Sequence, residues 1–89
     1  MKFSAQEEYG LRCLLQLALQ GPGGSLTISE LSQREGISIP NVAKMMRVMR
    51  RAGYVDSTRG KDGGYTLARP AEALRIGEVL ATLGGRASV

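Results

Sequence analysis

Lys44, Arg47 and Arg51 recur at spacings of three and four residues, which sets three cations on one face of a helix. Seven residues of helix span about 10 Å, so this is a row of donors suited to an extended anion. Just ahead stand Ser38, Pro40 and Asn41. A carboxamide such as that of Asn41 can pair bidentately with an adenine edge, and Arg47 or Lys44 can donate to guanine. The small Ala43 suits a thymine methyl. A second set lies in Arg59-Gly60-Lys61-Asp62-Gly63-Gly64, where two cations sit among glycines. A phosphate cradle of the nucleotide-binding kind needs Gly-Lys-Ser/Thr at its end, and that ending is missing.

Other chemistry is poorly provided for. Cys13 is the only cysteine and there is no histidine, so the chain closes neither an internal disulfide nor a zinc site. The commonest general base is lacking, and no carboxylate pair stands in a recognisable catalytic context. An enzyme is not expected.

The formal charge of +4 is unevenly spread. Met1 to Pro40 carries a net −1, Asn41 to Arg69 carries seven cations against two aspartates, and the remainder is neutral. Such clustering is the electrostatic footprint of a partner rich in negative charge. A merely solvated basic face is the plainer reading, and the surrounding elements decide against it.

Those elements are legible in order. Ser4-x-x-Glu7 is a capping box that opens a first helix, with Leu11, Leu14, Leu15 and Ala18 as its expected buried stripe. Gly21-Pro22-Gly23-Gly24 ends it. A second box, Thr27-x-x-Glu30, opens a second helix with Ile28 and Leu31 on its apolar side, and Gly36 stops it. Ile37 is expected as the plug between the second and third helices, and Ser38 caps the third with Pro40 in its first turn. Val42, Met45, Met46 and Met49 then share one arc, opposite Pro40, Lys44, Arg47 and Arg51. At this spacing the methionines read as core filler rather than a plastic groove. Tyr54 to Thr58 and Tyr65 to Ala68 have strand composition, and Ile76 to Leu83 reads as a last helix.

The expected fold is therefore mainly α with a small β-hairpin, a winged helix-turn-helix. Eighty-nine residues make one domain, assigned to 1–83, with 84–89 as a flexible tail. No apolar run is long enough for a membrane span and no secretory pattern opens the chain, so a cytoplasmic location is expected. The candidate DNA-binding residues are Ser38, Pro40, Asn41, Lys44, Arg47, Arg51, Arg59, Gly60, Lys61, Gly63, Gly64 and Tyr65. Arg59 is the minor-groove candidate and Lys61 a phosphate contact, while Gly60, Gly63 and Gly64 act through backbone shape. Tyr65 is a phosphate donor or a packing residue of the hairpin.

Tyr9, Ile37-Ser38, Arg59-Gly60, Gly63-Gly64-Tyr65 and Ile76-Gly77-Glu78-Val79-Leu80 follow one another in an order that resembles the Rrf-two family of bacterial transcription regulators, which includes iron–sulfur and nitric-oxide-sensing types. The resemblance runs from Met1 to about Leu83. It implies a homodimer on an imperfect palindrome, with the third helix in the major groove and the wing in the adjacent minor groove. It also implies, for longer members, an iron–sulfur cluster held mostly by three cysteines in a later loop. This chain stops at Val89, before that loop and before the long dimerisation helix, so no cofactor and at most weak dimerisation are expected of it. Some relatives supply a cluster ligand from the first helix, at a position falling on Glu8 or Arg12. Glu8 is chemically able to ligate, although a first-turn carboxylate is already favoured there by the helix dipole. Two readings compete with transcriptional regulation by DNA binding. One is a winged-helix protein-interaction module, and the other is the DNA-binding part of an iron–sulfur redox sensor.

Overall fold

Ser4 opens α1 (Ala5–Leu19) in the computed structural model, which describes residues 4–58 and 64–84. The Glu7 amide donates to the Ser4 hydroxyl at 3.2 Å, and the Ser4 amide donates to the Glu7 carboxylate at 2.9 Å. This reciprocal pair satisfies two backbone donors that a helix start leaves open. The buried face of α1 differs from the expected stripe. Gly10, Cys13, Leu14 and Leu17 face inward, whereas Leu15 is 51% exposed and Leu11 and Ala18 are only half-buried. Both sets obey the same i, i+3, i+4, i+7 spacing, so periodicity alone does not choose between them. Close approach does. A Cβ on Gly10 would stand 2.6 Å from both δ-carbons of Leu83, so the glycine lets another helix come against this face.

Thr27 caps α2 (Ile28–Glu35) with the second reciprocal box. Gly36 ends it at φ 66°, a left-handed conformation that glycine adopts without steric cost. Its amide and that of Ile37 both donate to the Ser32 carbonyl, and the Ser32 hydroxyl donates to the Ile37 carbonyl. The turn is thereby braced from both sides. Ile37 is buried between the helices, as its place in the sequence suggests.

α3 (Ile39–Arg51) starts from Ser38, whose hydroxyl accepts from the Asn41 amide at 3.4 Å. Val42, Met45, Met46 and Met49 are wholly or almost wholly buried. They join Leu14, Leu17, Leu31 and Val55 in one core, with Ile28 and Ala52 packed at its edge. Burying each such side chain contributes about 1.5–3 kcal/mol, so this face fixes the rotation of α3 about its axis.

The chain then turns into β1 (Val55–Thr58) and β2 (Gly64–Leu67), paired antiparallel with Val55 opposite Leu67 and Thr58 opposite Gly64. A third rung was not anticipated from the sequence. Leu26 exchanges both backbone hydrogen bonds with Tyr65, at 2.8 and 3.0 Å, and the Thr66 hydroxyl donates to the Gly24 carbonyl at 2.7 Å. The segment between α1 and α2 thus serves as a partial third strand that anchors the hairpin. After a single turn of 3₁₀ helix at Ala71–Ala73, α4 (Ile76–Leu83) returns along α1 and α3. Val79 and Leu83 are buried, and the Gln6 carboxamide donates to the Leu83 carbonyl. The expected boundary at 83 coincides with the end of α4, and residues 85–89 of the expected tail lie outside the described residues.

Candidate nucleic-acid interface

The interface grows from the rotation of α3. Because its methionine face is sealed, Pro40, Lys44, Arg47 and Arg51 must point the other way, and all four are exposed. Arg50 and Asn41 are exposed on the two flanks. Among the described residues, none of Lys44, Arg47, Arg50 and Arg51 has an ion-pair partner, which leaves their charge facing outward.

Ser38 and Asn41 sit at the N-terminal end of this face. Capping uses an acceptor lone pair of the Ser38 hydroxyl, which leaves its proton free to donate. The Asn41 carboxamide has no partner among the described residues. Six of the candidate residues, Ser38, Pro40, Asn41, Lys44, Arg47 and Arg51, are therefore brought together on one exposed surface.

Arg59, Gly60, Lys61 and Gly63 lie outside the described residues. Gly64 and Tyr65 are described, and each has work inside the fold. Gly64 stands at φ +151°, and a Cβ there would meet the Leu26 carbonyl oxygen at 3.0 Å and the Thr58 hydroxyl at 3.3 Å. Its lack of a side chain serves the close contact with the Leu26 segment. Tyr65 is half-buried against the core and carries the backbone pairing to Leu26, which favours the packing role over the phosphate donor.

Arg69 lies just past the C-terminal end of α3: its guanidinium is 5.6 Å from the centre of the Tyr54 ring, a cation–π contact, and 3.4 Å from where a Cβ on Gly53 would stand.

The cluster question turns on donors. Glu8 is exposed, and its carboxylate pairs with Arg12 at 3.2 Å. Cys13 is fully buried, and burial, helped by the Glu35 charge, pushes its thiol up to about 11. A ligating cysteine is a thiolate, so this environment opposes metal binding. Among the described residues no group of three histidine, cysteine, aspartate or glutamate side chains could hold a metal ion. The residues of this chain do not fit an iron–sulfur cluster.

Helix, braced turn, recognition helix and hairpin in this order define a winged helix-turn-helix domain. The family profile of Rrf2, described as an iron-dependent transcriptional regulator, matches residues 3–89, and the chain belongs to the Rrf2 family. It is 42% identical over 83 residues to protein rrf2 of Nitratidesulfovibrio vulgaris, covering 93% of this chain and 55% of that protein. It is 40% identical over 82 residues to the HTH-type transcriptional regulator IscR of Cereibacter sphaeroides, covering 90% and 53%. Among solved structures, T. potens IscR matches with a TM-score of 0.86 at 32% identity, over 93% of this chain and 61% of that one. CymR, the global cysteine regulator of B. subtilis, matches at 0.88 and 29%, over 96% and 66%. The chain thus spans about half the length of these curated relatives. One surface escaped the sequence reading, a notch between α1 and α3 lined by Gln6, Tyr9, Asn41 and Lys44. Its signal was faint: a polar-tipped tyrosine inside a helix where an aliphatic residue would pack equally well.

Proposed function

We propose that this chain binds double-stranded DNA and regulates transcription by occupying its site, acting in the cytoplasm as a repressor where that site overlaps a promoter. The observation that carries this is the exposed α3 face, where Lys44, Arg47 and Arg51 stand in a row without ion-pair partners among the described residues. A helix with its side chains is about 10–12 Å across, and the major groove is about 12 Å wide. The α3 face would enter that groove with Ser38 and Asn41 nearest the base edges. Residues 59–63 connect the two hairpin strands, so Arg59 is placed in the sequence to reach the adjacent minor groove and Lys61 to meet a phosphate.

The Rrf2 relatives support the same reading through the regulator names they carry. A homodimer, which the family resemblance implies, would raise the effective concentration of each half-site contact. No helix among the described residues is long and apolar enough to cross a membrane. The test is selection from a randomised duplex pool, with wild type and an Arg47→Ala, Arg51→Ala double variant run in parallel. Enrichment of a site by wild type and its loss in the variant is the expected result. Equal recovery of DNA by both proteins would remove α3 from the interface. A partner protein retained independently of salt, with no DNA enriched, would favour the protein-interaction reading.

A further inference from the structure

A notch of about 220 Å³ opens between the start of α1 and the first turns of α3, lined by Gln6, Tyr9, Asn41 and Lys44. Three of these carry polar groups with no partner among the described residues: the Tyr9 hydroxyl, the Asn41 carboxamide and the Lys44 ammonium. Gln6 differs, because its amide is already spent on the Leu83 carbonyl. Tyr9 is half-buried with its ring packed against the core, so its position is fixed by the fold rather than by solvent. Two neutral hydrogen-bonding groups and one cation around a small concavity suit a compact anion with several acceptor oxygens.

We propose that this notch is a phosphate clamp for the DNA strand that flanks α3, with Tyr9 as a positioning residue. The proposal rests on the DNA reading above and adds to it where one strand lies. A helix that fills a groove about 12 Å wide leaves a sugar–phosphate ridge along each of its flanks. At 100° per residue, Asn41 and Lys44 lie on the same side of the Pro40–Arg51 face, and α1 walls that side. The notch therefore sits where the ridge passes, and Lys44 borders both the groove face and the notch. Tyr9 gives an uncharged hydrogen bond, which sets the register of the strand. Lys44 supplies the charge.

The test is a methylphosphonate scan of the duplex selected from the pool, read by fluorescence anisotropy with wild type, Tyr9→Phe and Lys44→Ala. The phenylalanine keeps the packed ring, and unchanged circular dichroism and Tm verify the fold. Tyr9→Phe is expected to weaken binding by roughly 3- to 10-fold with an unchanged salt slope. Lys44→Ala is expected to reduce that slope by about 1. The decisive result is a single phosphate whose neutralisation weakens wild type and has much less effect on Tyr9→Phe. Equal losses for the two proteins at every phosphate would overturn the clamp and leave the DNA reading standing. Absence of binding to any duplex at low salt would overturn both.

Discussion

Arg47 and Gly64 illustrate how differently two residues of one interface are constrained. Arg47 is held by nothing except the rotation of α3, so its replacement removes charge without disturbing packing. Arg47→Ala is expected to leave Tm unchanged and to weaken binding to the selected site by about 1–3 kcal/mol, measured by anisotropy. Gly64 is held by the Leu26 carbonyl at 3.0 Å and by its φ of +151°. Gly64→Ala is expected to cost about 1–3 kcal/mol of stability in urea denaturation, through the lost Leu26–Tyr65 rung. Cys13 is the third case. Its thiol is fully buried and raised to about 11, so alkylation in the native state should be slow and follow unfolding. The sign of its linkage is that of a group with a raised pKa. Stability is retained below its ordinary 9.0 and lost as pH rises toward 11.

At the scale of elements, capping and close approach do most of the positioning. Ser4-x-x-Glu7 and Thr27-x-x-Glu30 were legible because a capping box is a local pattern with a fixed spacing, and both form as read. The Thr27 amide donating to Glu30 holds its carboxyl below the ordinary 4.5. A depressed carboxyl contributes stability above its unfolded value and loses it as pH falls through the folded one. Glu30→Gln should therefore differ from wild type in urea denaturation at neutral pH, with the gap closing as pH falls below the ordinary 4.5 and through the lowered folded value. The inward face of α1 was not legible, because Leu11 and Leu15 are as apolar as Leu14 and Leu17. What selects the face is the contact of Gly10 with Leu83, sixty and more residues away in sequence. Alanine at Gly10 gains about 1 kcal/mol of helix propensity, yet overpacking a filled site costs about 1–3 kcal/mol. Gly10→Ala is expected to lower Tm, and its cost should shrink in a Leu83→Ala background, a coupling that a double-mutant cycle measures.

For the molecule as a whole, the fold class and the exposed face of α3 could be read from the sequence. Apolar spacing in α3 leaves only one face for Pro40, Lys44, Arg47 and Arg51, and all four emerge on it. Contacts between segments distant in the chain were less visible. Leu26 pairs with Tyr65 across 39 positions, and Tyr9 meets Asn41 and Lys44 only through the docking of α1 on α3. Neither leaves a periodic trace. The proposed DNA-binding surface is thus the exposed face of α3 with the adjoining notch against α1.

The central claim, that this surface binds the phosphate-lined grooves of DNA, is tested most directly by fluorescence anisotropy of the chain on the selected duplex across a salt series. Neutralising about four to six phosphates predicts that log affinity falls with log salt at a slope of about −4 to −5, with the selected duplex preferred over the random pool. A flat salt dependence, or no binding at low salt, would contradict the account.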